Sequence, residues 1–190
     1  MLEASILQGI GKAYGSEWLV RKTGGKLTGF ASYAYARSFV KIAGATEVET
    51  VNNGQWYPSN VDKPHNLNLA IAWQTSKRWN LAANFTYSTG RPITFPSAKY
   101  SLAGVTVLNY QDRNLQRIQD YHRLDISITF EPNLSRNKTW ESSWNFSIFN
   151  IYGRRNPFSV YFKVNGLNAD AYKLSILGSA FPSITYNFKF

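Results

Sequence analysis

The side chains in this sequence that could support acid–base or metal chemistry are few, and their spacing does not favour either. The chain contains two histidines, His65 and His122, and no cysteine. His122 and Asp125 are three residues apart in the stretch YHRLD, and on a β-strand that spacing puts them on opposite faces. His65 and Asp62 flank Pro64 where a loop enters a strand, and a metal ion there would need further ligands. We therefore expect no catalytic residue, no metal site and no cofactor.

Other charged residues predict structural ion pairs. Asp112 and Asp120 lie in the sequence near three arginines, and we expect them to form salt bridges in a loop or on a polar sheet face with Arg113, Arg117 and Arg123. The net charge of +10 is compatible with an anionic partner. The basic residues are scattered, however, whereas a nucleic-acid-binding surface gathers them on one face. We expect no nucleic-acid partner.

The elements that must position these residues are β-strands, because apolar residues recur at every second position. In HRLDISITF, Leu124, Ile126 and Ile128 alternate with Asp125 and Ser127. The same period of two runs through HNLNLAIAW, WNLAANFTYSTG, WNFSIFN and SITYNFKF. The patterns predict an all-β chain of about seven antiparallel strands, at 12–23, 26–40, 65–77, 79–90, 120–131, 139–163 and 171–190. Proline and glycine predict bends near GRRNP and near Gly178 and Pro182.

The connections between these strands alternate in length. Short turns are expected at 23–26, 75–78 and 131–138, and long loops at about 41–64 and 91–119. Aromatic residues in the long loops could contact a bound solute, although they could equally pack the loops together. These candidate solute-contacting residues are Trp56, Tyr57, Tyr100 and Tyr110.

Three features favour the wall of a transmembrane β-barrel over a soluble sheet. The polar faces carry small neutral residues such as Asn, Ser and Thr more than Lys and Glu. The predicted strands reach the roughly ten residues that a tilted membrane crossing needs. Aromatic residues lie near the predicted strand ends, where a girdle at the headgroups is expected, namely Trp18, Trp79, Tyr87, Trp140, Trp144 and Tyr186.

The chain resembles the C-terminal part of TonB-dependent outer-membrane receptors, particularly those of Bacteroidetes-type bacteria. The residues that carry the resemblance are NGQWYPSNVDKPHNLNL (53–69), STGRPITFP (88–96), DYHRLDISITF (120–130), NFSIFNIYGRRNPFSVYF (145–162) and the closing PSITYNFKF. The resemblance implies energised import of siderophores, cobalamin, glycans or similar large solutes. It also implies a complete barrel of roughly 22 strands with a plug inside.

The resemblance further implies what surrounds the chain. Seven strands cannot close such a barrel, and no plug domain is recognised, so we expect residues 1–190 to be a C-terminal barrel portion without its plug. The expected partners are outer-membrane lipid, the barrel-insertion machinery and the rest of the receptor, and the TonB complex only through the plug. With short turns in the periplasm, the last strand runs inward and leaves the C-terminus periplasmic.

The last strand carries a second expectation. In outer-membrane barrels, a final strand with alternating apolar residues and a terminal Phe is the signal that the insertion machinery reads. Here the matching residues are Ile184, Tyr186, Phe188 and Phe190. Strand addition at an open sheet edge is the expected mode of recognition.

Two other functions stay open at the level of the sequence. An outer-membrane enzyme barrel would need a histidine that converges with Ser or Asp on neighbouring strands, and neither histidine has an evident partner. A small structural or adhesion barrel would need an eighth strand, for which residues 3–10 are the candidate. We expect a transport protein and not an enzyme.

Overall fold

A computed structural model describes residues 7–110, 112–132, 141–165 and 168–189. This part of the chain consists of β-strands and loops, with one short 3₁₀ turn at Asn52–Gly54. The strands are β1 (Ile10–Lys22), β2 (Leu27–Lys41), β3 (Tyr57–Pro58), β4 (His65–Gln74), β5 (Trp79–Ser88), β6 (Pro92–Ile93), β7 (Pro96–Leu102), β8 (Val105–Tyr110), β9 (Gln116–Arg117), β10 (Tyr121–Phe130), β11 (Glu141–Phe149), β12 (Pro157–Asn165), β13 (Asn168–Ser175) and β14 (Phe181–Lys189). Among the described residues, no helix is long and apolar enough to cross a membrane.

Seven long strands form one antiparallel sheet in the order β1-β2-β4-β5-β10-β11-β14, and β3 pairs with β2. Each strand of this sheet pairs with the next strand of the same sheet along the chain, as the sequence predicts. The sheet is open, because the order of strands ends at β1 on one side and at β14 on the other. The prediction of an all-β chain of antiparallel strands is thus confirmed.

The two predicted C-terminal strands are both interrupted close to the bends that proline and glycine predict, but their bounds as continuous strands of one sheet were wrong. The strand expected at 139–163 ends at Phe149, and the strand expected at 171–190 is interrupted before Phe181. β12 and β13 pair only with each other and form a hairpin that is separate from the main sheet. Asn150 and Gly153 adopt left-handed backbone conformations, with φ of 52° and 63°, and these turn the chain out of the sheet.

The segment 91–119, expected as an irregular loop, also contains strands. β7 and β8 form a hairpin around Ala103 and Gly104, whose φ values of 49° and 79° suit a tight two-residue hairpin turn. At its base, β6 and β9 pair over two residues each. Both long excursions after β5 and β11 therefore project as hairpins from the same end of the sheet, which we call the loop end.

The strand register sorts the side chains of the main sheet onto two faces. The apolar face carries the predicted apolar residues in continuous rows across the strands, for example Gly29, Ile71, Ala83, Ile126 and Ile148. The polar face carries small uncharged residues in matching rows, for example Ala72, Ala82, Ser127, Ser147 and Ser183. The alternation read from the sequence therefore corresponds to a real division of the sheet.

The apolar face is not covered by any other part of the described chain. Ile71, Phe146 and Ile184 expose 49%, 44% and 67% of their surfaces, and Tyr57 is the buried hydrophobic residue of the described structure. The total accessible surface is 13661 Å². A compact protein of 21.6 kDa would expose about 9,200 Å². The described part of the chain thus folds as a two-faced sheet without an ordinary hydrophobic core.

Candidate functional site

The apolar face ends in a row of aromatic side chains at the short-turn end of the sheet. The ring centroids of Trp79 and Phe130 are 4.5 Å apart, and those of Trp144 and Tyr186 are 4.6 Å apart. The register places these four residues opposite one another on β5, β10, β11 and β14. Of the girdle residues predicted from the sequence, Trp140 lies outside the described residues.

A second aromatic row crosses the apolar face near the loop end. Trp18 stacks on Tyr33 with ring centroids 5.5 Å apart, and Tyr33 shares a 2.7 Å hydrogen bond between its hydroxyl and Nδ1 of His65. Further along, Nδ1 of His122 lies 2.9 Å from the hydroxyl of Tyr152. Each of these side chains combines an apolar ring with a polar atom, which suits a boundary between apolar and polar surroundings.

Asp62 is the most strongly bonded charge at the loop end, and its side chain is fully buried. Its carboxylate accepts hydrogen bonds from Nε of Arg37 at 3.1 Å, from the backbone N–H of Ser38 at 2.7 Å and from Nη2 of Arg117. Arg117 also donates to the carbonyl oxygens of Asp62 and Gly90. Asp62 thereby joins β2 and the loop before β4 to the base of the β7–β8 hairpin.

These contacts hold the pKa of Asp62 below its ordinary value. Burial alone would raise the pKa, but the N–H of Ser38 and the guanidinium groups of Arg117 and Arg37 stabilise the carboxylate more strongly. Because every oxygen of the carboxylate is occupied by these donors, we interpret Asp62 as a structural group and not as a base.

Asp120 forms a similar junction between β5 and β10. Its carboxylate accepts a 2.6 Å hydrogen bond from the hydroxyl of Tyr87 and a 2.9 Å hydrogen bond from the backbone N–H of Gly90. Burial would raise the pKa of Asp120, but Tyr87 and Gly90 outweigh burial and lower the pKa. Arg154 donates to the Asp120 carbonyl oxygen at 3.0 Å, which ties the segment before β12 to the same junction.

Asn150 and Asn156 hold the chain where it leaves the sheet. The N–H of Asn150 donates to Oδ1 of Asp125 at 2.8 Å, and its side-chain amide donates to the carbonyl oxygen of Arg154. The side-chain amide of Asn156 bonds both the N–H and the carbonyl of His122. At this point the buried side chains of Asn150 and Asn156 replace the backbone hydrogen bonds between strands. They hold the chain in place where the β12–β13 hairpin begins.

The predicted ion pairs form with different carboxylates from those expected. Arg117 pairs with Asp62, and Arg123 pairs with Asp125 at 3.0 Å. The bonded contacts of Asp120 are to a phenol and a backbone amide. Local spacing could not predict the Asp62 pairs, because Arg37 and Arg117 lie 25 and 55 residues away from Asp62 along the chain.

The residues considered for chemistry are not brought together. His122 pairs with Tyr87 in the register and Asp125 pairs with Asn84, so the two side chains lie on opposite faces, as their spacing predicts. His65 contacts Tyr33 and Tyr35, whereas Asp62 is enclosed by arginines. Within the described ranges, no group of three or more His, Asp or Glu residues could hold a metal ion.

The four candidate solute-contacting aromatics occupy different places. Tyr57 is 4% exposed and pairs with Val40 on β2, so its ring cannot reach a solute in this arrangement. Trp56, Tyr100 and Tyr110 are exposed, the last two on one hairpin. Solute contact by Tyr100 and Tyr110 stays a prediction, and so does solute contact by Trp56, whose ring lies 4.3 Å from Nζ of Lys12 on the apolar face of β1.

Sequence reasoning missed two further aromatic pairs on the hairpins. Tyr161 and Tyr172 stack across β12 and β13 with ring centroids 5.5 Å apart, and Phe95 meets Phe162 edge to face at 5.3 Å. The second contact joins the two projecting hairpins. The tyrosines are visible in VYF and AYK, but the strands predicted from the sequence place them in the main sheet and not on a hairpin.

The closing strand lies at the edge of the sheet. Ile184 and Tyr186 pair with Phe146 and Trp144 on the apolar face, and Phe188 pairs with Ser142. Phe190 lies outside the described residues. The role of these residues as an assembly signal stays a prediction, while the edge position of β14 is the arrangement that strand addition requires.

Comparison with protein-family models, with curated proteins and with solved structures finds no match to this chain.

Proposed function

We propose that this chain forms part of the wall of an outer-membrane β-barrel, with its apolar face against lipid and its polar face toward the barrel interior. The observation that carries the proposal is the uncovered apolar face bounded at both ends by aromatic rows. In water such a face would be an aggregation surface, whereas in a bilayer it matches the outward band and girdles of outer-membrane barrels. The ten-residue strands β4, β5 and β10 also suit a tilted crossing.

The same arrangement suggests an orientation. The connections β1–β2 and β4–β5 are short, whereas β5–β10 and β11–β14 carry projecting hairpins. Outer-membrane barrels place short turns in the periplasm and long loops outside the cell. The hairpins then face the exterior, and β14 runs toward the periplasm.

We further propose that the barrel is a TonB-dependent importer of large solutes such as siderophores, cobalamin or glycans. The support is the resemblance of five stretches of this chain to that family, together with a loop end built to hold extended hairpins. The proposed partners are outer-membrane lipid, the barrel-insertion machinery and the remainder of the receptor with its plug. Coupling to the TonB complex would pass through that plug.

Spin labelling tests the wall assignment directly, because the chain has no native cysteine. A nitroxide is attached at Ile126→Cys or, as the matched control on the next residue, at Ser127→Cys in the membrane-embedded protein. We expect oxygen dissolved in lipid to speed the spin relaxation of the label at 126. A water-soluble nickel chelate should instead speed the spin relaxation of the label at 127. Water exposure at both positions would contradict the wall assignment.

Growth measurements test the importer assignment separately. A strain that lacks the gene is grown on limiting iron chelates, cobalamin or individual glycans, with and without an active TonB complex. We expect a growth defect on one class of solute, restored by the intact gene only when the TonB complex is active. Full growth of the deletion strain on every class would argue against import.

A further inference from the structure

Basic and aromatic side chains gather on the apolar face at the loop end of β1 and β2. The register places Lys12 opposite Phe39 and Tyr14 opposite Arg37, and Trp56 from the following loop lies against them. We refer to these five residues as the Lys12 cluster. It lies beyond the Trp18–Tyr33 pair, on the loop side of the aromatic row.

The geometry of the cluster presents positive charge on an aromatic platform. The Lys12 Nζ atom is 4.3 Å from the ring centroid of Trp56 and 5.6 Å from that of Phe39. The guanidinium carbon of Arg37 is 4.5 Å from the Phe39 centroid, and Tyr14 stacks on the same ring at 6.4 Å. Such cation–π contacts hold a cation in place without neutralising it.

The local charge is not balanced by carboxylates. Arg37 shares Asp62 with Arg117, so these three groups together carry one positive charge. Lys12 adds a second, and among the described residues no salt bridge to Lys12 is formed. The ammonium therefore keeps N–H donors for an anion.

An exposed apolar stripe continues from the cluster along the edge strand β1 toward the short-turn end. On the same face of β1, Tyr14, Trp18 and Val20 expose 56%, 55% and 71% of their surfaces. Cations at one end and an apolar stripe below them match the two parts of an acidic lipid, since its phosphate is charged and its acyl chains are apolar. A free phosphate ion would use only the first part.

We propose that the Lys12 cluster binds the phosphate of an anionic membrane lipid, with Lys12 as the main donor and the acyl chains along Tyr14, Trp18 and Val20. This inference rests on the proposed membrane-wall function, because it requires the apolar face to lie in lipid. Lys12 and Arg37 then stand at headgroup depth, where each basic residue adds attraction to anionic lipid. Lipid binding would then explain part of the chain's net positive charge of +10.

Calorimetric titration of the full chain in a neutral maltoside detergent tests the site. The probes are a short-chain phosphatidylglycerol, a phosphatidylcholine with the same chains, and inorganic phosphate. We expect the phosphatidylglycerol to bind and Lys12→Gln to weaken it about fivefold, which corresponds to about 1 kcal/mol. Lys12→Arg keeps the charge and the ring contacts, so its affinity should remain within about twofold of the wild type.

Arg21→Gln is the matched control, because it removes one positive charge from the same strand on the opposite face. It should leave the affinity unchanged. Equal weakening by Arg21→Gln would indicate general electrostatics and would overturn the site. Competition by inorganic phosphate at the same concentration as the lipid would also overturn it, since the ligand would then be the free ion.

The lipid-binding test can fail independently of the test that the apolar face lies in lipid. If the label at position 126 is in lipid but Lys12→Gln binds phosphatidylglycerol as tightly as the wild type, the lipid site is refuted and the wall stands. If the label at 126 is in water, the wall itself fails. Far-ultraviolet circular dichroism of each variant confirms that the compared proteins share one fold.

Discussion

Asp62 shows how single residues organise the loop end. It is fully buried, and it joins two arginines, one 25 residues before it and one 55 residues after it in the sequence, with a backbone amide of β2. A buried carboxylate costs free energy unless its partners replace the lost water, and here three donors do so. The residue therefore fixes the positions of segments that have no continuous strand pairing between them.

Asp62→Asn should lower the free energy of unfolding by about 1–3 kcal/mol, because two arginines lose their shared counter-charge. The range extends down to about 1 kcal/mol because the side chains of Arg37 and Arg117 are 24% and 28% exposed, so water can partly solvate them when the carboxylate is removed. Urea unfolding in detergent measures the change. Asp112→Asn, an exposed carboxylate nearby in the loops, is the control and should be nearly neutral.

The Asp62 contribution should depend on pH in a defined direction. Its pKa in the folded chain is lowered, so the stabilisation is fully present above the unfolded value of about 3.9 and is lost as the pH falls through the folded pKa. The stability difference between wild type and Asp62→Asn should therefore shrink between neutral pH and strongly acidic pH. A difference that stayed constant over this range would refute the assigned role.

Ile126 and Ser127 provide the sharpest energetic comparison at the residue scale. In the membrane-embedded protein, Ile126→Arg should cost about 2–4 kcal/mol because it places a charge in hydrocarbon near the bilayer midplane. Ser127→Arg points to the polar face and should cost much less. Equilibrium unfolding from lipid vesicles measures both variants, and equal costs would show that the two faces have been assigned incorrectly.

At the scale of elements, the strands depend on close backbone junctions at the loop end. A Cβ atom added to Gly90 would overlap the carbonyl oxygen of Ile118, and the Gly90 N–H is already bonded to Asp120. Gly90 thus allows the chain after β5 to pass directly beside the chain before β10. No side chain can be accommodated without moving one of these segments.

Gly90→Ala should destabilise this junction by about 1–3 kcal/mol, as overpacking does elsewhere. Gly24→Ala is the control, because a Cβ there would meet no atom within 4 Å. Urea unfolding of both variants measures the effect, and limited proteolysis should show faster cleavage in 91–119 only for Gly90→Ala. Equal stability of the two variants would mean that the junction adjusts without cost.

The elements differ in how well their sequences predict them. β5 and β10 alternate without interruption, and their predicted spans exceed the observed strands by only one or two residues at their ends. β12 alternates too, with apolar residues at Phe158, Val160, Phe162 and Val164, and the sequence predicts β12 and β13 as parts of sheet strands, although they form a hairpin of their own. Alternation reports that a segment is a two-sided strand, but it does not report which neighbour the strand pairs with.

The loop-end junctions could not be predicted for a related reason. Asp62 meets Arg117 across 55 residues, and Asn114 bonds the carbonyl of Pro58 across 56. These contacts depend on where the folded loops meet, which local spacing does not determine. The aromatic row that contains Trp79, Trp144 and Tyr186 was predictable, in contrast, because the place of each residue follows from its position in its strand.

At the scale of the whole molecule, the number of strands in the sheet restricts how its edges can be satisfied. Neighbouring strands alternate in direction, so the first and seventh, β1 and β14, both run from the loop end to the short-turn end. Pairing β14 directly with β1 would therefore be parallel, whereas outer-membrane barrel walls are antiparallel. Unpaired edges in lipid would each leave several costly backbone groups. In the proposed barrel, each edge must pair with a further strand that runs the opposite way.

Disulfide formation between introduced cysteines tests this requirement in the membrane-embedded protein, since the chain has none of its own. Leu19→Cys on β1 is combined in turn with Ser183→Cys, Thr185→Cys and Asn187→Cys on β14. We expect no intramolecular disulfide from any pair, because bridging needs Cα atoms within about 7 Å and, in the proposed barrel, the two edges pair with other strands. Asn145→Cys with Thr185→Cys, directly opposite in the sheet, is the positive control and should form the bond on mild oxidation. A disulfide from Leu19→Cys to any β14 position would show that β1 and β14 pair directly, and would replace the larger barrel with one closed by a single parallel pair.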